Sequence, residues 1–232
     1  MLLYSADAAA FIAFLAAWIG YARFVKLRHD RKPGLNALMN GQRAVWMSEM
    51  ARREVRIVDA AITSTLQNGT AFFASASLIA IGGAATVLRS TEDVLRLFAE
   101  IPFAPSISRG LWEMKTIGLI AIFGYAFFKF GWSYRLYNYS AILIGATPPA
   151  SSPDAAAREN AARRAARMST VAGRHFAEGQ RALFFSFAYL GWFLGPWVFM
   201  LTTALIMVVI YRRQFHSDAL DALTDVDGPT KS

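Results

Sequence analysis

Two stretches of this chain run without a charged residue for longer than a bilayer is thick: Ala60 to Leu88, 29 residues, and Ala182 to Tyr211, 30 residues. The hydrocarbon core is about 30 Å across and a helix rises about 1.5 Å per residue, so roughly 20 apolar residues suffice to cross it. Two further stretches come close. Met1 to Ala22 holds a single charge, Asp7, and Thr116 to Tyr134 holds a single charge, Lys129. Lipid offers no partner to an open backbone N–H or C=O, so each stretch is expected to be helical. The expected fold class is therefore all-α, an integral membrane bundle of four transmembrane helices with cytoplasmic amphipathic helical extensions. The spans fall at about 3-22, 66-88, 116-135 and 183-211, in a single membrane domain over 1-217, with 218-232 as a polar, disordered tail.

The charge missing from the spans is concentrated between them. Charged residues make up 17% of the chain, against about 25% in soluble domains. Nothing positive precedes the first apolar run, whereas Arg23, Lys26, Arg28, Arg31 and Lys32 follow it. That order is the reverse of a cleaved signal peptide and fits a retained anchor with its N-terminus outside. Nine Lys/Arg lie between Arg23 and Asn68 and seven between Gly131 and Arg181, while the loop from Arg89 to Lys115 balances four basic with four acidic residues. Basic loops stay in the cytoplasm, so the expected location is a bacterial inner membrane with both termini outside. The pair Arg212–Arg213 then falls on the outer face, against the same rule. The net charge of +8 belongs to the membrane-flanking loops, and nucleic acid is not an expected partner. Trp18 and Tyr21, and Trp132, Tyr134, Tyr137 and Tyr139, mark the expected cytoplasmic headgroup level, and Lys129 can snorkel towards it.

Pro33–Gly34 reads as a turn. From Ala37 the chain is expected to run as one helix into the second span, with a break near Asn68–Gly69 and Glu49 paired with Arg53 at i,i+4. Thr147 to Pro153 is a linker; Asp154 to Gln180 is a second amphipathic helix. Its Arg158, Arg163, Arg164, Arg167 and Arg174 suit a surface facing water or lipid headgroups, with a dedicated binding patch as the alternative. Glu100 to Pro105 reads as an irregular outer cap.

The absence of cysteine excludes disulfides, thiolate metal sites and cysteine nucleophiles. His29, His175 and His216 stand in three separate segments with no His-x-x-x-His pair, and no Gly-x-Ser-x-Gly elbow occurs. No catalytic residue, metal or cofactor is expected, and an enzyme is the less favoured class. Three features stand out instead. Arg52, Arg53, Arg56 and Asp59 precede the second span, and Arg135 and Arg181 flank two others at the same expected membrane level. Such a ring can bind anionic lipid headgroups, guard a pore mouth or lock the bundle. Ala76, Ala80 and Ala84, with Gly83, form a small-residue face for helix packing or a homo-oligomer. Gly195–Pro196 is expected to kink the fourth span, because proline removes a helix hydrogen bond.

Several motifs carry a family resemblance. Phe72-Phe73-Ala74-Ser75-Ala76-Ser77 with Ile81-Gly82-Gly83, Ala126 to Arg135 with Tyr137-Asn138-Tyr139, Arg181-Ala182-Leu183-Phe184-Phe185 and Tyr211-Arg212-Arg213-Gln214-Phe215 together resemble the membrane family catalogued as domain of unknown function number 599. The resemblance runs from about Tyr4 to Ser217. The last motif departs from the family pattern, which has Glu where this chain has Gln214. The resemblance implies a four-helix membrane protein and brings no activity with it. The expected role is a non-catalytic scaffold or accessory subunit of a larger membrane complex. A homo-oligomeric channel or transporter is the second reading and a membrane enzyme acting on lipid the third.

Overall fold

The computed structural model describes residues 2–27, 33–100 and 107–224. The expected outer cap at Ile101 to Pro105 and the basic residues Arg28, Arg31 and Lys32 lie outside the described residues. Among the described residues the chain is helical and has no strand: α1 Leu2–Leu27, α2 Leu35–Ala51, α3 Ile57–Arg89, α4 Thr91–Ala99, α5 Arg109–Gly145, α6 Ala155–Leu190, a 3-10 turn Gly191–Leu194, α7 Pro196–Phe215 and α8 Asp218–Thr224. Four helices are long and apolar enough to cross a membrane, namely α1, α3, α5 and the helix that begins at Pro196. The fold class is the expected all-α one, but several boundaries move.

The largest change concerns the fourth span. The apolar run from Ala182 to Tyr211 is not one kinked helix. The chain leaves α6 at Leu190, makes the 3-10 turn, passes Gly195 at φ 128° and restarts as α7 with Pro196 in its first turn. Proline lacks the N–H that a first helical turn leaves unpaired, and the positive φ is tolerated only by glycine, so Gly195–Pro196 ends one helix and starts another. The two helices run back along each other. Thr202 on α7 donates to the Ala188 carbonyl on α6 at 2.8 Å, although 14 residues of straight helix would hold them about 21 Å apart.

Elsewhere α2 and α3 are separate helices. The break falls at Arg52–Arg56 and not near Asn68–Gly69, because Arg56 reaches away to α5 while Asp59, in the first turn of α3, turns towards α2. Glu49 pairs with Arg52 rather than with Arg53. The expected second amphipathic helix is continuous with the start of the fourth apolar run, as α6. The Asp154 carboxylate accepts from the Ala157 N–H and so caps it. The connection between α3 and α5 contains α4, and part of the expected disordered tail is α8.

The helices pack as two compact units. Unit 1 holds residues 1–34, 77–125 and 180–232. Its core is aromatic: Phe14 packs on Phe185, Tyr189 and Phe199, and the Trp192 indole stacks between Phe11 and Phe199. In this unit α1 and α7 run in the same direction, since Phe14 meets Phe199 and, further along both helices, the Tyr21 hydroxyl donates to the Ile210 carbonyl. The start of α5 runs against the end of α6, with Gly118 under Tyr189. Unit 2 holds residues 35–76 and 126–179. Here α5 and α6 are again antiparallel, tied by hydrogen bonds from Ser133 to the Ala172 carbonyl and from Ser140 to the Ala165 carbonyl. α3 runs against α5, with Gln67 donating to Asn138 and Phe73 stacked on Phe130.

α3 buries little of itself. Thr63, Thr70, Ser77 and Ala84, spaced by seven, form a narrow buried seam. Thr63 and Thr70 donate their hydroxyls to carbonyls four residues back, which satisfies them without a partner helix. The opposite face is apolar and open, with Ile79 76% exposed, a surface that lipid can cover at no cost in unpaired polar groups.

Candidate functional site

The polar chemistry of the described residues gathers in three groups. The first lies in unit 1, where Lys115 on α5 is 1% exposed. Its ammonium sits 3.1 Å from the Asp7 carboxylate on α1 and donates to the Trp192 carbonyl at 2.9 Å. The Trp192 indole N–H donates to the same carboxylate oxygen. A charge removed from water is tolerable when it is both paired and hydrogen-bonded, and this group meets both conditions. The 3-10 turn positions it, because Trp192 supplies donor and acceptor together.

The second group lies in unit 2 at the α2–α3 break. Asp59 is fully buried and accepts from the Trp46 indole at 2.7 Å and from Arg53 at 2.9 Å, while its other oxygen has no hydrogen-bond partner among the described residues. Each unit thus carries one buried carboxylate gripped by an indole and a cation. Arg56 does not pair with Asp59. It donates to the carbonyls of Ile144, Thr147 and Pro148. These are the open acceptors at a helix C-terminus, where a cation also meets the favourable end of the helix dipole.

The third group was not foreseen. Lys129 on α5 lies 2.6 Å from Glu178 on α6, and the His175 Nδ1 is 3.5 Å from the same carboxylate oxygen. The three side chains are partly buried, at 23–26% exposure. Lys129 sits inside an apolar stretch, so its need for a counter-ion was readable. Which acid answers it depends on the α5–α6 register, which is not.

The arginine ring is not brought together. Arg52 stays with Glu49 at the surface. Arg135 bonds to the Tyr139 hydroxyl and stacks over the rings of Trp132 and Tyr139. It lies nine residues, about 13 Å of helix, before the α5 end that Arg56 holds. Arg181 belongs to unit 1 and is half-buried. Of the small-residue face, Ala84 is buried, Ala76 and Ala80 are half-buried, and Gly83 is exposed with no atom near a built Cβ. The packing seam shares Ala84 with the row read off the sequence but passes through Ser77 in place of Ala76 and Ala80.

What these arrangements do chemically is hold helices. In both the Asp7 and Asp59 groups an indole and a cation meet one carboxylate oxygen, and the second oxygen of Asp59 is left without a donor among the described residues. Among the described residues no group of three His, Cys, Asp or Glu side chains comes together. Neither the curated proteins nor the solved structures contain a match to this chain. The family comparison does give one, covering residues 9–219. The chain therefore belongs to the family described as "Protein of unknown function, DUF599".

Proposed function

We propose that this protein is a non-catalytic integral component of a bacterial inner membrane, acting as a scaffold or accessory subunit of a larger assembly. The observation that carries the reading is the open face of α3. Phe72, Leu78 and Ile79 are exposed there, and Gly82 and Gly83 beside them have no neighbouring atom near a built Cβ. Glycines on an outward face let another helix approach to backbone contact, where dispersion is strongest. The Asp7 group supports the same reading, since its cation and indole are spent within the fold. Contact with anionic headgroups is proposed near Arg135, whose stacking on Trp132 and Tyr139 suits the lipid–water boundary.

The parallel course of α1 and α7 supports a changed topology. With α1 entering from outside, α7 ends in the cytoplasm, and Arg212–Arg213 comes to the side the basic-loop rule favours. α6 then makes an additional, polar-lined passage beside α5. The chain's two ends lie on opposite faces, in place of both outside.

The reading is tested by gentle solubilisation of the native membrane and measurement of the mass and composition of the particle. Other proteins in defined stoichiometry support it. A particle of this chain alone overturns it. Several copies then favour the second reading, a homo-oligomeric channel or transporter, which the Lys129–Glu178–His175 group inside the bundle recommends.

A further inference from the structure

The basic residues of the first half of α6 are not equivalent. Arg158 is spent on the carbonyls of Ala150 and Ser152. Arg163 is spent on Glu159, at 3.5 Å, and on the Asn160 side-chain oxygen, at 2.5 Å. Arg164 and Arg167 are exposed and make no ion pair among the described residues. They line a groove of about 450 Å³ together with Ala157 and Asn160. The positions 157, 160, 164 and 167 recur at helical spacing, so the four side chains share one face. Asn160 accepts from Arg163 through its side-chain oxygen, and its amide nitrogen can still donate. Two of the three polar side chains at this surface are permanent cations.

A doubly cationic, open depression with an amide beside it fits a phosphate ester, whose oxygens accept several charge-assisted hydrogen bonds and which guanidinium groups can grip in bidentate fashion. Its height along the helix is consistent. The Ala165 carbonyl meets Ser140 and the Ala172 carbonyl meets Ser133, so Arg164 and Arg167 ride beside the part of α5 that follows its apolar stretch. Tyr134, Tyr137 and Tyr139 lie in that part, at the level where headgroup phosphates sit.

We infer that Asn160, Arg164 and Arg167 form a binding site for a phosphate group, borne either by an anionic lipid headgroup or by a phosphorylated solute. The site stands independently of the scaffold reading.

The test uses the full chain in a neutral detergent. One arm titrates sodium pyrophosphate by calorimetry; the other adds phosphatidylglycerol or cardiolipin and counts bound lipid by native mass spectrometry. Each is run on the parent, on R164Q/R167Q and on R52Q/R212Q, which removes two exposed arginines elsewhere. Saturable binding should weaken about tenfold or more in R164Q/R167Q, as two charge-assisted contacts are lost, and persist in R52Q/R212Q. Binding in the pyrophosphate arm names a solute as the source; binding in the lipid arm alone names a headgroup. The changes sit on an exposed helix face, and unchanged helical circular dichroism identifies the folded variant. Absence of saturable binding in both arms overturns the site, and so does equal weakening in the two double variants.

Discussion

The Lys115 ammonium lies 3.1 Å from the Asp7 carboxylate, joining the start of α5 to the start of α1 in a position closed to water. Lys115→Met removes the cation and leaves a buried carboxylate with only the Trp192 indole. Loss of one partner of a buried pair costs about 3–5 kcal/mol, whereas an apolar pair of similar volume is often neutral. Unfolding of the purified protein in detergent should therefore show a large loss for Lys115→Met and recovery of most of it in Asp7→Leu/Lys115→Met. A single variant as stable as the parent removes the pair from any structural role.

Asp59 gives the opposite asymmetry. Its side chain is fully buried, but that of Arg53 is 45% exposed. Arg53→Gln strands a buried charge and should cost about 3 kcal/mol. Asp59→Asn strands only a cation that water can reach, and Asn can still accept from Trp46, so its cost should be nearer about 1 kcal/mol. The double variant should resemble Asp59→Asn. Equal losses in the two single variants would mean that Arg53 is as dry as Asp59.

The glycines separate packing from open surface. A Cβ on Gly118 would overlap the Tyr189 hydroxyl, so Gly118→Ala should cost about 1–3 kcal/mol, and Tyr189→Phe should relieve much of that. Gly82→Ala and Gly83→Ala meet nothing within 4 Å and should be neutral or stabilise α3 by up to about 1 kcal/mol. If they instead break up a purified assembly while the isolated chain stays folded, the open α3 face is the contact.

Opposite ends can be read by labelling, since the chain has no cysteine of its own. Ser5→Cys should react with a membrane-impermeant maleimide added outside intact spheroplasts, and Ala219→Cys only after lysis. Labelling of both before lysis would restore the arrangement with both ends outside.

The sequence made the membrane class plain because lipid leaves few options for long runs without charge, and α1, α3 and α5 follow from those runs. It concealed the α6–α7 reversal because hydropathy averages over Ala182 to Tyr211 and cannot see the direction of the chain. Gly195–Pro196 was visible as a perturbation, but a kink and a full reversal look alike until Thr202 is found against Ala188. The continuity of α6 with the fourth apolar run was concealed because Arg174, His175, Glu178 and Arg181 make that stretch look water-facing, whereas Lys129 on α5 supplies the partner for Glu178. The partners of the arginines in unit 2 were not readable because contacts such as Arg56 with Pro148 are tertiary.

The seam of α3 turns that helix into a phase-locked element. Thr63, Thr70, Ser77 and Ala84 fall under cover because each is seven residues from the last, close to two full turns. One residue inserted between Thr70 and Ser77 rotates everything after it by about 100°. That swings the buried serine aside, puts Ala76 in the seam and brings the bulky outward Ile79 to within about 60° of it. Seven inserted residues nearly restore the angle but displace the later half by about 10 Å along the axis. Substitutions on the outward face leave this periodicity untouched, so α3 tolerates changes of composition there far better than changes of length.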